Sequence, residues 1–131
     1  MPYGPSQSLK SETGSAVSGF ALVAPLLVCV FIVVIQIGSV LADRATLMLA
    51  TQSGVRVAST FDGTSAQGRA KALSVLQSRG MESGAVIAFA REHRGPVHYV
   101  TCTGTSHRHV PWLNKDITFT TKARAIDESA L

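Results

Sequence analysis

At 131 residues, with a formal net charge of +4 and a pI near 9.5, the chain has room for one small domain. Its basic residues from Arg44 to Arg124 stand singly, the pattern of a solvated surface, which argues against nucleic acid as a partner. Cys29 and Cys102 fall in unlike surroundings and cannot form a disulfide framework.

Residues 1–14, "MPYGPSQSLKSETG", read as a polar, disordered leader, with two Pro, two Gly and no apolar periodicity. Residues 15–42 read as a transmembrane helix. Its centre is the run Phe20 to Ala42, 23 residues without Asp, Glu, Lys or Arg. As a helix that run is about 35 Å long, against about 30 Å of hydrocarbon. Fifteen of its residues are Leu, Ile, Val or Phe. Together they favour insertion by about 5 to 8 kcal/mol before Pro25, Gln36 and Ser39 subtract from it. A soluble core helix is a poor fit, because the remaining chain is too short to surround so long an uncharged segment. A cleaved secretory signal ending at "SVLA", before Asp43, is a rival. Against it, the run exceeds the usual length and Lys10 is the only basic residue in the segment before it. Charge places the ends weakly: Asp43, Arg44 and Arg56 beyond the run lean against a cytoplasmic N-terminus.

Residues 43–80 read as a helical region outside the membrane. Leu47, Ala50, Gly54, Val57 and Phe61 recur at intervals of three and four, so the membrane helix is expected to continue as one amphipathic helix. Asp62-Gly63 breaks it. A second short helix follows, with Ser65 as cap, Ala66, Ala70, Leu73 and Leu76 as its apolar stripe and Gly80 as its stop. Residues 81–131 change to a period of two. "AVIAFA", "PVHYVTCTG" and "ITFTTKARA" read as three antiparallel strands, the first two joined by a loop at "REHRG" and the last two by a longer connection from Gly104 to Asp116. The fold class is therefore α+β: a long N-terminal helix, a short second helix and a small antiparallel sheet.

Chemistry is sparsely signalled. His107 and His109 would share one face of an extended segment, and with Cys102 they form a weak metal candidate; the bland reading of "CTGTSHRH" is a solvated loop. There is no nucleophile elbow, phosphate loop or paired-carboxylate pattern. The chain reads as a non-enzyme without a cofactor. One alternative is a bitopic anchor whose outer domain binds a ligand or metal through Cys102, His107 and His109.

From Gly14 the words "AV" at 16–17, "FALVAPLL" at 20–27 with Pro25, and "DRATLMLATQSGVRVAS" after the run resemble the TadE-like minor pilins (pseudopilins) of the tight-adherence (Tad/Flp) type IV pilus. That resemblance implies cutting by a prepilin peptidase after Gly14, a new N-terminus at Ser15, a cytoplasmic leader and residues 43–131 outside the cell membrane. It also implies pilin-like subunits and pilus-assembly proteins as partners, in adhesion or secretion. Gly14 is expected to keep the leader from continuing the helix into the protease. The family usually holds Glu at the fifth position after the cut, just before Phe20; this chain has Gly19. The chain then enters a filament without that carboxylate, occupies a terminal position, or stays in the membrane as an assembly factor. Pro25, Gly38 and Ser39 are the expected helix-packing positions.

Overall fold

A computed structural model describes residues 9–111 and 113–131, with only the backbone of 9–13, 15, 16 and 82. The leader up to residue 8 lies outside the described residues. Helix α1 runs Leu9–Ser59, α2 runs Ser65–Gln77, and three strands follow: β1 Ala85–Arg94, β2 Val97–Val110 and β3 Lys115–Ile126. The chain divides into two compact units, one ending at Ser39 and the other running from Val40 to Leu131.

In the first unit α1 is surrounded by its own exposed apolar side chains; Phe20, Leu22, Leu26 and Phe31 are each more than half exposed. Leu9 to Gly14, expected as disordered leader, are helical. A glycine inside a helix costs only about 1 kcal/mol relative to alanine, and long helical neighbours on both sides carry it. Pro25 sits inside α1, where it cannot donate to the carbonyl of Ala21.

The second unit packs one face of α1 and one face of α2 on one face of the sheet. Helix α1 buries Thr46, Leu47, Ala50, Thr51, Gly54, Val55, Ala58 and Ser59. This face follows the small residues every four positions, so it passes through Ala58 where Val57 had been expected, and Phe61 lies beyond the helix, 72% exposed. On α2 the buried stripe is Gly68, Ala72 and Leu76, while Ala66 and Ala70 stay exposed. The two helices cross at Gly54 and Gly68. A Cβ at Gly68 would stand 2.7 Å from the Gly54 carbonyl oxygen and 2.8 Å from the Ala58 Cβ; one at Gly54 would meet the Gly68 carbonyl at 2.9 Å.

Asp62-Gly63 forms the break between the helices, with the Gly63 amide donating to the Thr60 carbonyl at 2.8 Å. The cap of α2 is Thr64, one residue before the expected Ser65. Its hydroxyl accepts from the Gln67 amide, and the Gln67 side chain accepts from the Thr64 amide. Gly80 closes the helix as expected: its amide donates to Gln77, and the Met81 amide reaches back to Leu76.

The sheet is a simple antiparallel meander, β1-β2-β3. The β1–β2 hairpin is tighter than expected. "REHR" belongs to β1, and the turn is Gly95-Pro96 alone, with Gly95 at φ 66°. Proline excludes a positive φ at the second turn position, so this is the type II′ geometry that matches strand twist. Strand β2 also extends to Val110, so the expected long connection shrinks to residues 111–114. Inward-facing residues meet in register, as Ile87, Gly104 and Thr121 in one row and Phe89, Cys102 and Ala123 in the next. A Cβ at Gly104 would lie 2.6 Å from the Thr51 Cγ2 and 3.0 Å from the Leu47 Cδ1, so the sheet lies close on α1.

Replacing Gly68 with Val should destabilise the second unit by about 1–3 kcal/mol, because the atom it strikes is backbone and cannot rotate away. A Gly38→Ala change, where a Cβ meets nothing within 4 Å, should leave unfolding unaltered. Thermal unfolding of the two variants followed by circular dichroism would check both outcomes.

Candidate functional site

Two regions of the molecule carry features that subunit contact or chemistry could use. The first is the N-terminal part of α1. Gly14, Val17, Gly19 and Phe20 are exposed on the helix, and a Cβ at Gly14, Gly19 or Gly38 would have open space around it. The chain's own packing therefore gives no reason for these three glycines. Contrary to the expectation for Gly14, α1 runs unbroken through it and through Ser15. The Ser39 hydroxyl donates to the Gln36 carbonyl at 2.8 Å, so it is satisfied within the helix. Leu27, Val28, Val30, Phe31 and Val34 line a shallow apolar recess on the same helix.

The second region is the sheet and its two ends. At one end an open cleft of about 350 Å³ is lined by residues including Asp43, Arg79, Ser83, His107 and Arg108. Arg108 Nη1 donates to Asp43 Oδ2, fastening β2 to the first polar position of α1 after the apolar run. At the other end Asp127, 4% exposed, is held by Arg91 Nη1 at 3.3 Å and accepts from the Ser129 hydroxyl at 2.5 Å and the Ser129 amide at 3.2 Å. The Ser129 hydroxyl above all, aided by its amide and by the positive charge of Arg91, holds the Asp127 carboxyl below its ordinary range against the opposing effect of burial. Arg91 also reaches the Gly63 carbonyl at 3.5 Å, tying the sheet to the break between the helices.

The structure brings His107 and His109 onto one face of a strand, not a loop. Their register partners are Thr118 and Asp116; His107 Nδ1 lies 3.0 Å from the Thr118 hydroxyl and His109 Nδ1 2.7 Å from Asp116 Oδ1. Cys102 has the opposite parity along β2 and points into the core, fully buried, so it does not join the two histidines. Among the described residues no group of three or more His, Cys, Asp or Glu side chains is gathered to hold a metal ion. Burial pushes the Cys102 thiol up to about 11. His93 and His98 meet edge-on across β1 and β2, ring centres 4.2 Å apart. Sequence reasoning missed the Asp127 cluster, which joins residues far apart in the chain and leaves no local pattern. It also missed the Gly54–Gly68 crossing, though the four-residue spacing of Ala50, Gly54 and Ala58 against Gly68 and Ala72 carried a signal.

Among the described residues the fold thus has one helix long and apolar enough to cross a membrane, continuing into a small helix-and-sheet unit. Residues 14–56 match the family model described as TadE-like protein, about a third of the chain. Over that segment the chain is similar to the TadE-like family, which is consistent with a protein of the Tad pilus system. No curated protein and no solved structure matches it.

Two outcomes follow from the second region. Because the folded state keeps Asp127 ionised to lower pH than the unfolded chain does, its stabilising contribution is present above the unfolded value of 3.8 and should be lost as pH falls further. Asp127→Asn should flatten that part of a stability-against-pH curve measured by denaturant unfolding. Cys102 should resist a maleimide reagent at neutral pH until the unit is unfolded, since both the burial and the raised pKa withhold thiolate. Mass spectrometry of the labelled chain before and after denaturation reads this out.

Proposed function

We propose that the protein is a TadE-like minor pilin or pilus-assembly protein, a non-enzymatic single-span subunit that acts by packing helices in the membrane and contacting other subunits outside it. The observation that carries this reading is where the family match lies. It starts at Gly14, the residue before the expected cut, and ends at Arg56, within the last turn of α1. The matched segment thus takes in the apolar run and the amphipathic continuation together. In this reading the leader is cytoplasmic and residues 43–131 are extracytoplasmic.

The exposed N-terminal part of α1 supports helix packing as the working surface. Pro25 leaves the Ala21 carbonyl without its usual intrahelical donor, and such a group in hydrocarbon is tolerated best against a neighbouring helix. Gly19 and Gly38 offer close approach to a second backbone and are not needed for contacts inside the chain. With Gly19 in place of a carboxylate, registration by a charge pair with a neighbour's free amine is not open to this chain. A terminal or unpolymerised position in the pilus machinery therefore suits it better than a repeating position.

Mass spectrometry of the N-terminal peptide of protein purified from its native membrane should find Ser15 as the first residue. A Gly14→Lys variant should keep its leader. An intact leader in the unaltered protein would overturn prepilin-type processing, and a start at Asp43 would make the apolar run a secretion signal.

A further inference from the structure

We infer that the apolar run of α1 pairs with the same run of a second copy of this chain, the two helices parallel and joined by reciprocal hydrogen bonds between their Gln36 side chains. This inference rests on the single-span reading above. Between Val17 and Ala42 the side chains that carry a polar atom are those of Ser18, Cys29, Gln36 and Ser39. At about 100° per residue all four fall within an arc of about 80°, and Pro25 lies in the middle of it. Pro25, Cys29, Ile32, Gln36 and Ser39 moreover stand at intervals of four, three, four and three, the spacing of the seam between two helices packed as a left-handed pair. The Ala21 carbonyl, which Pro25 leaves without its usual donor, lies on the same side of the helix.

Gln36 is the residue on this seam that requires a neighbour. Its backbone carbonyl accepts from the Ser39 hydroxyl at 2.8 Å, whereas its side-chain amide has no partner among the described residues. It stands six residues before Ala42, about 9 Å from that end of the run, and helical side chains lean towards the N-terminus, here deeper into hydrocarbon. The amide is therefore aimed away from the nearer headgroups, and left unpaired in lipid it is costly. A partner of another sequence has to supply a polar group at the same depth; a second copy always carries one. A primary amide both donates and accepts, so two of them facing across a two-fold axis complete each other. Copies that cross the bilayer in one direction bring equal residue numbers opposite each other. Gly38 faces the other side of α1 and stays open to the other subunits proposed above.

Cys29, one heptad before Gln36 on the same face, supplies the reporter. The full chain would be reconstituted in phosphatidylcholine vesicles at a low protein-to-lipid ratio and oxidised with copper phenanthroline. The expected result is a reducible dimer on gel electrophoresis that Cys29→Ser abolishes, since Cys102 is buried in the second unit. Gln36→Leu, which keeps the run apolar enough to insert, should cut the dimer about fivefold, and Gln36→Asn should retain most of it. Moving the thiol to the opposite side, as Cys29→Ser with Val34→Cys, should give no dimer. Monomer only, a dimer that survives Cys29→Ser or that Gln36→Leu leaves unchanged, or equal cross-linking from position 34 overturns the inference alone. Cross-linking in the native membrane to a chain of different mass, with none between copies, assigns the face to another subunit and also overturns it. If the chain fails to float with vesicles in a density gradient, the single-span reading falls and takes the inference with it.

Discussion

The second unit depends on one close approach, that of the α1 and α2 backbones at Gly54 and Gly68. Helices usually stand apart by the thickness of their side chains, with axes about 8–10 Å from each other. Here each glycine's carbonyl occupies space that the other's Cβ would need, and Ala58 and Ala72 extend the thin contact on either side. The Phe89 ring closes over both glycines, its Cζ 3.2 Å from a Cβ built at Gly54 and 3.0 Å from one at Gly68. A small domain with few large buried side chains gains from such intimacy, because dispersion between closely packed atoms makes up for the apolar area it lacks. The fully buried set is accordingly modest, with Leu47, Leu76, Val100, Thr51 and Cys102 as its largest members.

Along α1 one helical geometry serves two kinds of surroundings, and the side chains change accordingly. Up to Leu41 large apolar residues point in every direction and stay exposed; from Thr46 onward one face is buried, and beside Leu47 and Val55 it is built from small residues and hydroxyls. The hydroxyls are accommodated because a helix can absorb them. Thr46 donates to Ala42 at 2.9 Å and Thr51 to Leu47 and Met48 at 3.1 and 2.9 Å. Thr51 also stands 3.5 Å from the Thr121 hydroxyl on β3, a polar contact inside the helix–sheet seam. Asp43 marks the change of surroundings, and its pairing with Arg108 means that the sheet is fixed to the helix at that same position.

The parts of this architecture that were legible in the sequence are those whose pattern contrasts with solvent. The alternation of Ile117, Phe119, Thr121, Ala123 and Ala125 with Thr118, Thr120, Lys122 and Arg124 appears in β3 as expected, because one face of the sheet is covered by helices and the other is wet. The uncharged run in α1 was equally plain. Strand β2 was cut short in the reading because its inner face uses Gly104 and Ser106, residues that look like loop, and the reason for them lies on α1, more than fifty positions earlier. The face of α1 was misjudged at Val57 and Phe61 for a related cause: hydropathy rewards bulk, whereas this contact selects for its absence. At the candidate site, the Gly14-to-Leu27 words were readable as a family pattern, but the ion pairs Asp43–Arg108 and Arg91–Asp127 join distant segments that no spacing rule connects.

The meander order leaves β1 and β3 as edges, each with a row of backbone groups that no neighbouring strand of the sheet takes up. On β1 that row begins with "AVIAFA", six residues with no charge and with Val86 60% exposed, the sort of segment that accepts an extra strand from another chain. The four residues that follow, Arg91 to Arg94, carry charge or an imidazole, and β3 on the opposite side is interrupted by Lys115, Asp116, Lys122 and Arg124. These residues act as gatekeepers: they raise the electrostatic and desolvation cost of edge-to-edge growth. The charge pattern along these two edges thus sets them apart from the uncharged apolar run of α1, where no charged side chain opposes a neighbour.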